Sequence, residues 1–340
     1  MHKAFITKES RKMELSMNND LVPAAGEVLL DINAVGICGS DHHIYLGEHP
    51  YATYPLIQGH EFCGTIVQYG EDCKAQLPLG TQVVVEPLIS CGTCYACSVG
   101  RYNCCENLKI VGVHVPGAFQ EKVIVPENLL HPVPDLPSHI AVFAEPLSIA
   151  VQAVKRGGVT QSDKVLILGA GPIGQALVLA CKDLNAQVSI SDLVPSRLEK
   201  AKLMGADFTF QAGKDNPDEL INFSEGGYTV VIDAVGVEPA IQLGIQAIRA
   251  AGRFVLVGIS GNNLPIPIST IIRKEIDVIG SRNSAHVFPE AISLLYKNQT
   301  KIEKLIYFSE SIDTLPEMME YSIKHPDLIE KVVVKIKSDS

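Results

Sequence analysis

The chain has 340 residues, a formal net charge of -10, 46% hydrophobic residues and 19% charged residues. That length suggests about two domains of roughly 150 residues each, and the composition is that of a globular chain able to bury a large core. The acidic balance argues against nucleic acid or an anionic membrane as the main partner, while a small-molecule site can still be locally basic.

The amino terminus, MHKAFITKES, has no apolar signal-peptide core, so a cytoplasmic setting is expected. In that reducing compartment the nine cysteines are thiols or metal ligands rather than disulfides. The first half of the chain reads as short strands and turns. Glu27 to Cys38, Gly64 to Gly70 and Thr81 to Pro87 are β-rich runs separated by turn residues, which predicts a compact β domain. The most apolar stretch, Val165 to Cys181, contains Gly169, Gly171, Pro172, Gly174 and Gln175. Those residues make it a strand, a turn and a buried helix rather than a membrane span.

The character changes near residue 145. Pro146 fits the first turn of a helix running toward Val154. Strands and helices then alternate: a strand from Lys164, a helix from Pro172 to Leu184, a strand from Gln187 to Asp192, and a helix from Ser196 stopped by Gly205. Further strands begin at Tyr228 and run from Arg253 to Ser260. This alternation predicts an α/β fold with a doubly wound parallel sheet. From about Pro289 a helix is followed by closing strands, the last from Lys331 to Lys337, expected to return to the first domain.

Gly169-Ala170-Gly171-Pro172-Ile173-Gly174 follows a buried strand and opens a helix, the context in which G-x-G-x-x-G binds a dinucleotide. Gly169 permits the turn, Gly171 admits the pyrophosphate, and Gly174 lets helix and strand pack closely. The helix N-terminus offers free N–H groups to the phosphates. Asp192, at the end of the next strand, suits the ribose hydroxyls and repels a 2′-phosphate. Leu193 follows where a basic residue would hold such a phosphate, so NAD is preferred to NADP. Val257 and Gly258 end a further strand, where such sheets place their ligands.

Cys91, Cys94 and Cys97 are spaced C-x2-C-x2-C and followed by the adjacent Cys104 and Cys105. Four thiolates this close satisfy a tetrahedral zinc with no open position, which predicts a structural site. A bare zinc ribbon can also bind nucleic acid, but the acidic charge and the attached dinucleotide fold oppose that here. Three separated segments offer a second metal site: Cys38 in Gly36-ICGSDHH, His60 and Glu61 in Gly59-HEFCG, and Glu145 in Ala144-EPLS. One thiolate, one imidazole and one carboxylate leave a place for water or substrate. None of these segments has a local spacing that makes a site by itself.

Taken together, Gly36-I-Cys38-G-S-D-x-His43, Gly59-His60-Glu61, the cysteine loop, Glu145-Pro146-Leu147, the glycine fingerprint and Asp192 resemble the zinc-containing medium-chain alcohol dehydrogenases. The branch is that of sorbitol, threonine and polyol dehydrogenases, and the resemblance spans essentially the whole chain. It implies a GroES-like β-rich catalytic domain at 1–150 and 287–340, and a Rossmann NAD-binding domain at 151–286. It implies two zincs per chain, with Cys91, Cys94, Cys97 and Cys105 on the structural one and Cys104 a bystander. Cys38 and His60 become ligands of the catalytic zinc, with Glu61 or Glu145 as the third. Ser40 and His43 are assigned to a proton relay, His42 being a neighbouring rival. Arg197 takes a place beside the adenosine end of NAD. Relatives join cofactor domains, so a homodimer or homotetramer is expected.

The expected reaction is hydride transfer from a secondary alcohol to NAD. The segments Asn103-CCENLKIVGVH and Gly280-SRNS resemble bacterial hexonate dehydrogenases acting at C5 of L-galactonate or L-gulonate. Arg282 then clamps a substrate carboxylate or contacts the cofactor, with His114 and Glu121 beside the substrate. Sorbitol, polyol phosphates and L-threonine are the competing substrates. The competing class is a regulatory NAD sensor on the same fold. An open zinc site favours the enzyme.

Overall fold

The computed structural model describes residues 1–74, 77–259, 267–327 and 331–336. Ser260 and Lys337, the expected ends of two strands, lie outside the described residues. The chain divides into two units, Met1–Glu145 with Leu305–Ser340, and Pro146–Lys304. By that division the helix Phe288–Ile302 groups with the second unit, whereas the expected boundary placed it in the first. No helix among the described residues is long and apolar enough to cross a membrane.

The first unit is built on a sheet whose central member is Glu27–Ile37. This strand pairs antiparallel with Glu61–Tyr69, Lys122–Pro126 and Lys331–Lys335. Its burial on both faces follows from an almost unbroken apolar sequence, VLLDINAVGI. The sheet continues through Gln82–Val85 to Leu130–Pro132, and on the other side from Lys331–Lys335 to Ile306–Ser309. The closing strand thus returns to the first unit, as the sequence suggested. Phe5, Leu30, Ile32, Phe62, Ile66, Phe119, Leu315 and Met319 belong to one apolar cluster on this sheet.

Two elements of this unit were not anticipated. His2–Glu9 and Lys12–Asn18 form an antiparallel hairpin. Its second strand is largely exposed, so no apolar alternation marked it. A helix also covers Gly39–Leu46, directly after Cys38. Here His42 turns inward and its Nε2 lies 2.8 Å from Ser322 Oγ. Because Ser322 donates its own proton to Met319 O, His42 Nε2 must be the protonated, donating nitrogen.

Burial, then the charges of Lys331 and His43, lower His42 from 6.5 to about 4. A base depressed in the folded state resists the proton that the unfolded chain accepts. Its contribution is therefore complete above pH 6.5 and is lost as pH falls toward 4. Acid titration of the unfolding free energy should show a loss of up to about 3 kcal/mol across that window, absent in His42→Gln. An identical titration for both proteins would refute the assignment.

The second unit holds a six-stranded, wholly parallel sheet. Its order is Phe208–Gln211, Gln187–Asp192, Lys164–Leu168, Tyr228–Asp233, Ile248–Leu256, Asp277–Gly280. Counted along the chain this is 3-2-1-4-5-6, the dinucleotide-binding order. The starts expected at Lys164, Pro172, Gln187 and Tyr228 hold and the helix expected from Ser196 begins at Pro195, whereas the strand expected from Arg253 begins at Ile248 and the strands Phe208–Gln211 and Asp277–Gly280 were not delimited in advance. The helix Pro195–Met204 ends on Gly205 at φ 117°, a left-handed stop suited to glycine. The order reverses between Lys164–Leu168 and Tyr228–Asp233, so ligands of such folds lie beyond Leu168 and Asp233.

Candidate active site and metal centres

The fingerprint sits at that switch point. The helix Pro172–Asp183 starts at Gly171, whose side lacks any capping side chain. A Cβ built on Gly171 meets nothing within 4 Å, leaving the space a pyrophosphate needs. A Cβ on Gly174 would lie 1.9 Å from Gly169 O, so no larger residue fits there. Gly174→Ala should force helix and strand apart and weaken NAD binding at least about tenfold. Titration of NADH fluorescence reads this directly, and an unchanged affinity would refute it.

Asp192 accepts from Ala170 N at 2.7 Å and from Val194 N at 2.9 Å, so its carboxylate is fixed beside the loop. Arg197 Nη1 lies 3.8 Å from it. Gln175, which the motif reading passed over, is fully buried and donates to Ala170 O and Arg197 O at 2.8 and 2.9 Å. It ties the glycine loop to the Arg197 segment. The N–H groups of Val257 and Gly258 both donate to Asp233 O at 2.9 Å, which knits two strand ends together. Arg282 follows the edge strand Asp277–Gly280 and is exposed.

In the first unit Cys91, Cys94, Cys97 and Cys105 bring their sulfurs within 4.8 Å of one another. Cys104 is outside this quartet, although it is next in sequence. The N–H of Thr93, then that of Cys94, pull the Cys91 thiol down to about 5. Burial, then Cys94, push the Cys97 thiol up to about 12. Four sulfurs this close cannot all be anionic without a cation, and a divalent soft-ligand metal is the cation that fits.

The second cluster is assembled by strand pairing. Cys38 ends the central strand and caps the helix Gly39–Leu46. Glu61 begins the neighbouring strand, opposite Gly36. His60 precedes it on a loop where Gly59 has φ +93° and packs on Phe119. Gly117 stacks against the same loop, since a Cβ there would lie 2.3 Å from Gly59 O. Cys38, His60 and Glu61 each place a ligand atom within 4.8 Å of the others.

Asp41, missed in the sequence reading, organises this cluster. Fully buried, it accepts from Cys38 N at 3.0 Å and from Gln58 Nε2 at 3.3 Å. Its Oδ2 lies 3.7 Å from His60 Nδ1, a charge contact longer than a hydrogen bond, on the side of the ring away from Nε2. Ser40 Oγ is 3.4 Å from that Nε2. Burial opposes a charge on His60, but Asp41, Cys38 and Glu145 together favour one. Groups that would hold an imidazolium also suit a metal cation, so the residues present fit zinc.

Glu145, in the first turn of the helix Ala144–Arg156, is raised to about 7 by burial and then by Glu61. Glu61 itself is not loose. Both its oxygens accept from the buried ammonium of Lys331, at 2.7 and 2.6 Å. Lys331 had no signal in the sequence, because its partner is 270 residues away.

Three expected site residues lie apart from this cluster in their contacts. His43 is exposed and its Nδ1 pairs with Glu48 Oε2 at 3.0 Å. His114 is exposed and accepts from Ile110 N at 3.0 Å. Glu121 accepts from Lys3 N at 2.7 Å, fastening the first strand.

Comparison with known proteins agrees with this geometry. Residues 24–135 match the alcohol dehydrogenase GroES-like domain, and residues 172–297 match the zinc-binding dehydrogenase domain. L-galactonate-5-dehydrogenase of Escherichia coli strain K12 is 33% identical over 316 residues, covering 92% of this chain and 93% of that protein. The chain belongs to the zinc-containing alcohol dehydrogenase family. Its branch is that of the polyol dehydrogenases: Bos taurus sorbitol dehydrogenase is 34% identical, with 95% and 93% covered. A crystal structure of RspB, an alcohol dehydrogenase from E. coli CFT073 complexed with NADH, superposes with TM-score 0.93. It shares 33% identity and covers 98% of this chain and 99% of its own. The dehydrogenase therefore has a GroES-like domain and a Rossmann domain, and uses zinc and NAD.

Proposed function

We propose that this dehydrogenase oxidises a secondary alcohol of a sugar acid or polyol, such as C5 of L-galactonate or L-gulonate. The observation that carries the reading is the convergence of Cys38, His60 and Glu61 from separate segments into one ligand cluster. Bound zinc supplies Lewis acidity toward the alcohol oxygen, and NAD supplies the hydride acceptor. The chain's own residues do the rest. The Asp41 charge lies 3.7 Å from His60 Nδ1, and Ser40, beside His60 Nε2, takes the hydroxyl proton. His43, exposed and paired with Glu48, passes it to solvent. The third protein ligand is Glu61 or Glu145. Asp192 and Arg197 receive the adenosine end of NAD, with Gly169 to Gly174 on the pyrophosphate.

The substrate class rests on relatives and on one charge. Among the relatives are an L-galactonate-5-dehydrogenase and a sorbitol dehydrogenase, one acting on a sugar acid and the other on a neutral polyol. The exposed Arg282 guanidinium suits a carboxylate, with His114 and Glu121 as further substrate contacts. NADH formation measured across hexonates, polyols, polyol phosphates and L-threonine tests this. Arg282→Ala should reduce kcat/KM for a hexonate about tenfold or more, yet leave a neutral polyol nearly unchanged. Equal losses on both would remove the clamp.

Assembly as a homodimer or homotetramer belongs to the same proposal. Asp277–Gly280 is a sheet edge, and Val278, Ile268 and Ile272 are exposed apolar residues on or near it. Sedimentation at monomer mass would refute it.

A further inference from the structure

Two histidines outside the metal cluster are held alike. His49 accepts from Tyr51 N at 3.3 Å through Nδ1, and His114 accepts from Ile110 N at 3.0 Å through Nδ1. A neutral imidazole that accepts on Nδ1 carries its proton on Nε2, so each ring offers Nε2 as a donor.

The fold brings both to the neighbourhood of His60. The helix Gly39–Leu46, which starts on Cys38, stops at Gly47 with φ 79°, and His49 lies in the loop that follows. Ala52, Tyr54 and Leu56 from that loop join Ile44, Ile110 and Val113 in one apolar cluster. The turn from Ile110 to His114 is closed by the N–H groups of Val113 and His114 on Ile110 O. Within it Gly112 lies on Gly59, the residue before His60: a Cβ on Gly112 would be 2.6 Å from Gly59 O. One apolar cluster and one glycine contact thus tie the His49 loop and the His114 turn to the ligand segment.

Burial first, then the charges of His114, His43 and His60, hold the His49 imidazole below its usual value. It is therefore neutral near pH 7, with a single N–H to give. Glu48, next in sequence, pairs with His43 Nδ1 at 3.0 Å and sets a negative charge beside the loop. A neutral donor near that charge suits a hydroxyl oxygen better than a carboxylate.

We propose that His49 and His114 are a specificity-determining pair, donating from Nε2 to hydroxyl oxygens of the substrate chain beyond the reacting carbon. The inference rests on the sugar-acid or polyol reading above and names residues that select its hydroxyls. An alcohol too short to reach the pair gains nothing from it, so the pair favours long polyhydroxylated chains.

Steady-state kinetics on a long and a short substrate test this. The long one is the hexonate or hexitol that the wild type turns over fastest, and the short one is 2,3-butanediol. His49→Asn and His114→Asn each keep an acceptor for the backbone N–H while withdrawing the Nε2 donor. Each should raise KM for the long substrate about fivefold or more with kcat within about twofold, and the double variant should raise it further. Both constants for 2,3-butanediol should stay within about twofold. Zinc content and NADH affinity should match the wild type. Unchanged KM on the long substrate, or equal losses on both substrates, would overturn the proposal. Loss of zinc or of NADH affinity would show a structural role instead and overturn it equally. A wild type that oxidises no hexonate or hexitol would remove the substrate reading itself, and the pair with it, before any variant is made.

Discussion

Cys38→Ser should bind NADH as tightly as the wild type and lose at least about a thousandfold in turnover, roughly 4 kcal/mol of transition-state stabilisation. The two halves of this result come from different units. The glycine loop, Asp192 and Gln175 lie in Pro146–Lys304, and none of their hydrogen bonds involves Cys38. Cys38 lies in the first unit, where it completes the cluster with His60 and Glu61. Serine keeps the helix start, because the capping contact comes from the backbone N–H of residue 38 to Asp41. It removes the soft, anionic ligand that zinc prefers. NADH fluorescence and steady-state rates check both halves. Retained turnover would sink the mechanism, and lost NADH binding would show that the substitution damages more than the metal centre.

Cys94→Ala should remove the other zinc and destabilise the chain by about 4 kcal/mol or more, the scale reserved for losing a metal or a comparable tie. The lobe around the quartet has little else to hold it. It contains a helix of four residues, Tyr95–Ser98, with none of them buried. Tyr95 is 77% exposed and Val99 49%. Two strands of two residues each, Leu88–Ile89 and Lys109–Ile110, form its base. Such a segment lacks the apolar surface to fold by burial, so metal ligation must supply the order. Cys104→Ala, outside the quartet, should leave zinc content and stability within about 0.5 kcal/mol. Denaturant unfolding with metal analysis tests the pair. Equal effects of the two substitutions would contradict the ligand assignment.

What could be read in advance depended on distance along the chain. The glycine loop and the cysteine quartet are contiguous, so their spacing alone shows their chemistry. The central strands from Lys164, Gln187 and Tyr228 are short apolar runs, and their starts were visible for the same reason, whereas the edge strands Phe208–Gln211 and Asp277–Gly280 are too short to stand out. Cys38, His60 and Glu145 are far apart, and only their joint resemblance to a family suggested a shared metal. Asp41 and Lys331 escaped even that. Asp41 reads as an ordinary first-turn acid until it is seen buried beneath His60. Lys331 opens a closing strand, and nothing near it in sequence records a partner on the second strand over. His43 and His42 could not be told apart by spacing. Helix phase separates them, sending His42 toward Ser322 and His43 to solvent beside Glu48.

The pairing of Glu61 with Lys331 is long-range as well. A glutamate next to a metal-ligating histidine looks committed to the metal in sequence. In the folded chain its two oxygens also accept from an ammonium of the carboxyl-terminal strand. Register is what brings this about: a slip of one residue in the Lys331–Lys335 strand would turn the lysine to the other face.

Zinc content per chain, measured side by side in the wild type and Cys38→Ser, tests the central claim most directly. The account predicts two zincs in the wild type and one in the variant. A single zinc in the wild type, or two in Cys38→Ser, would contradict it.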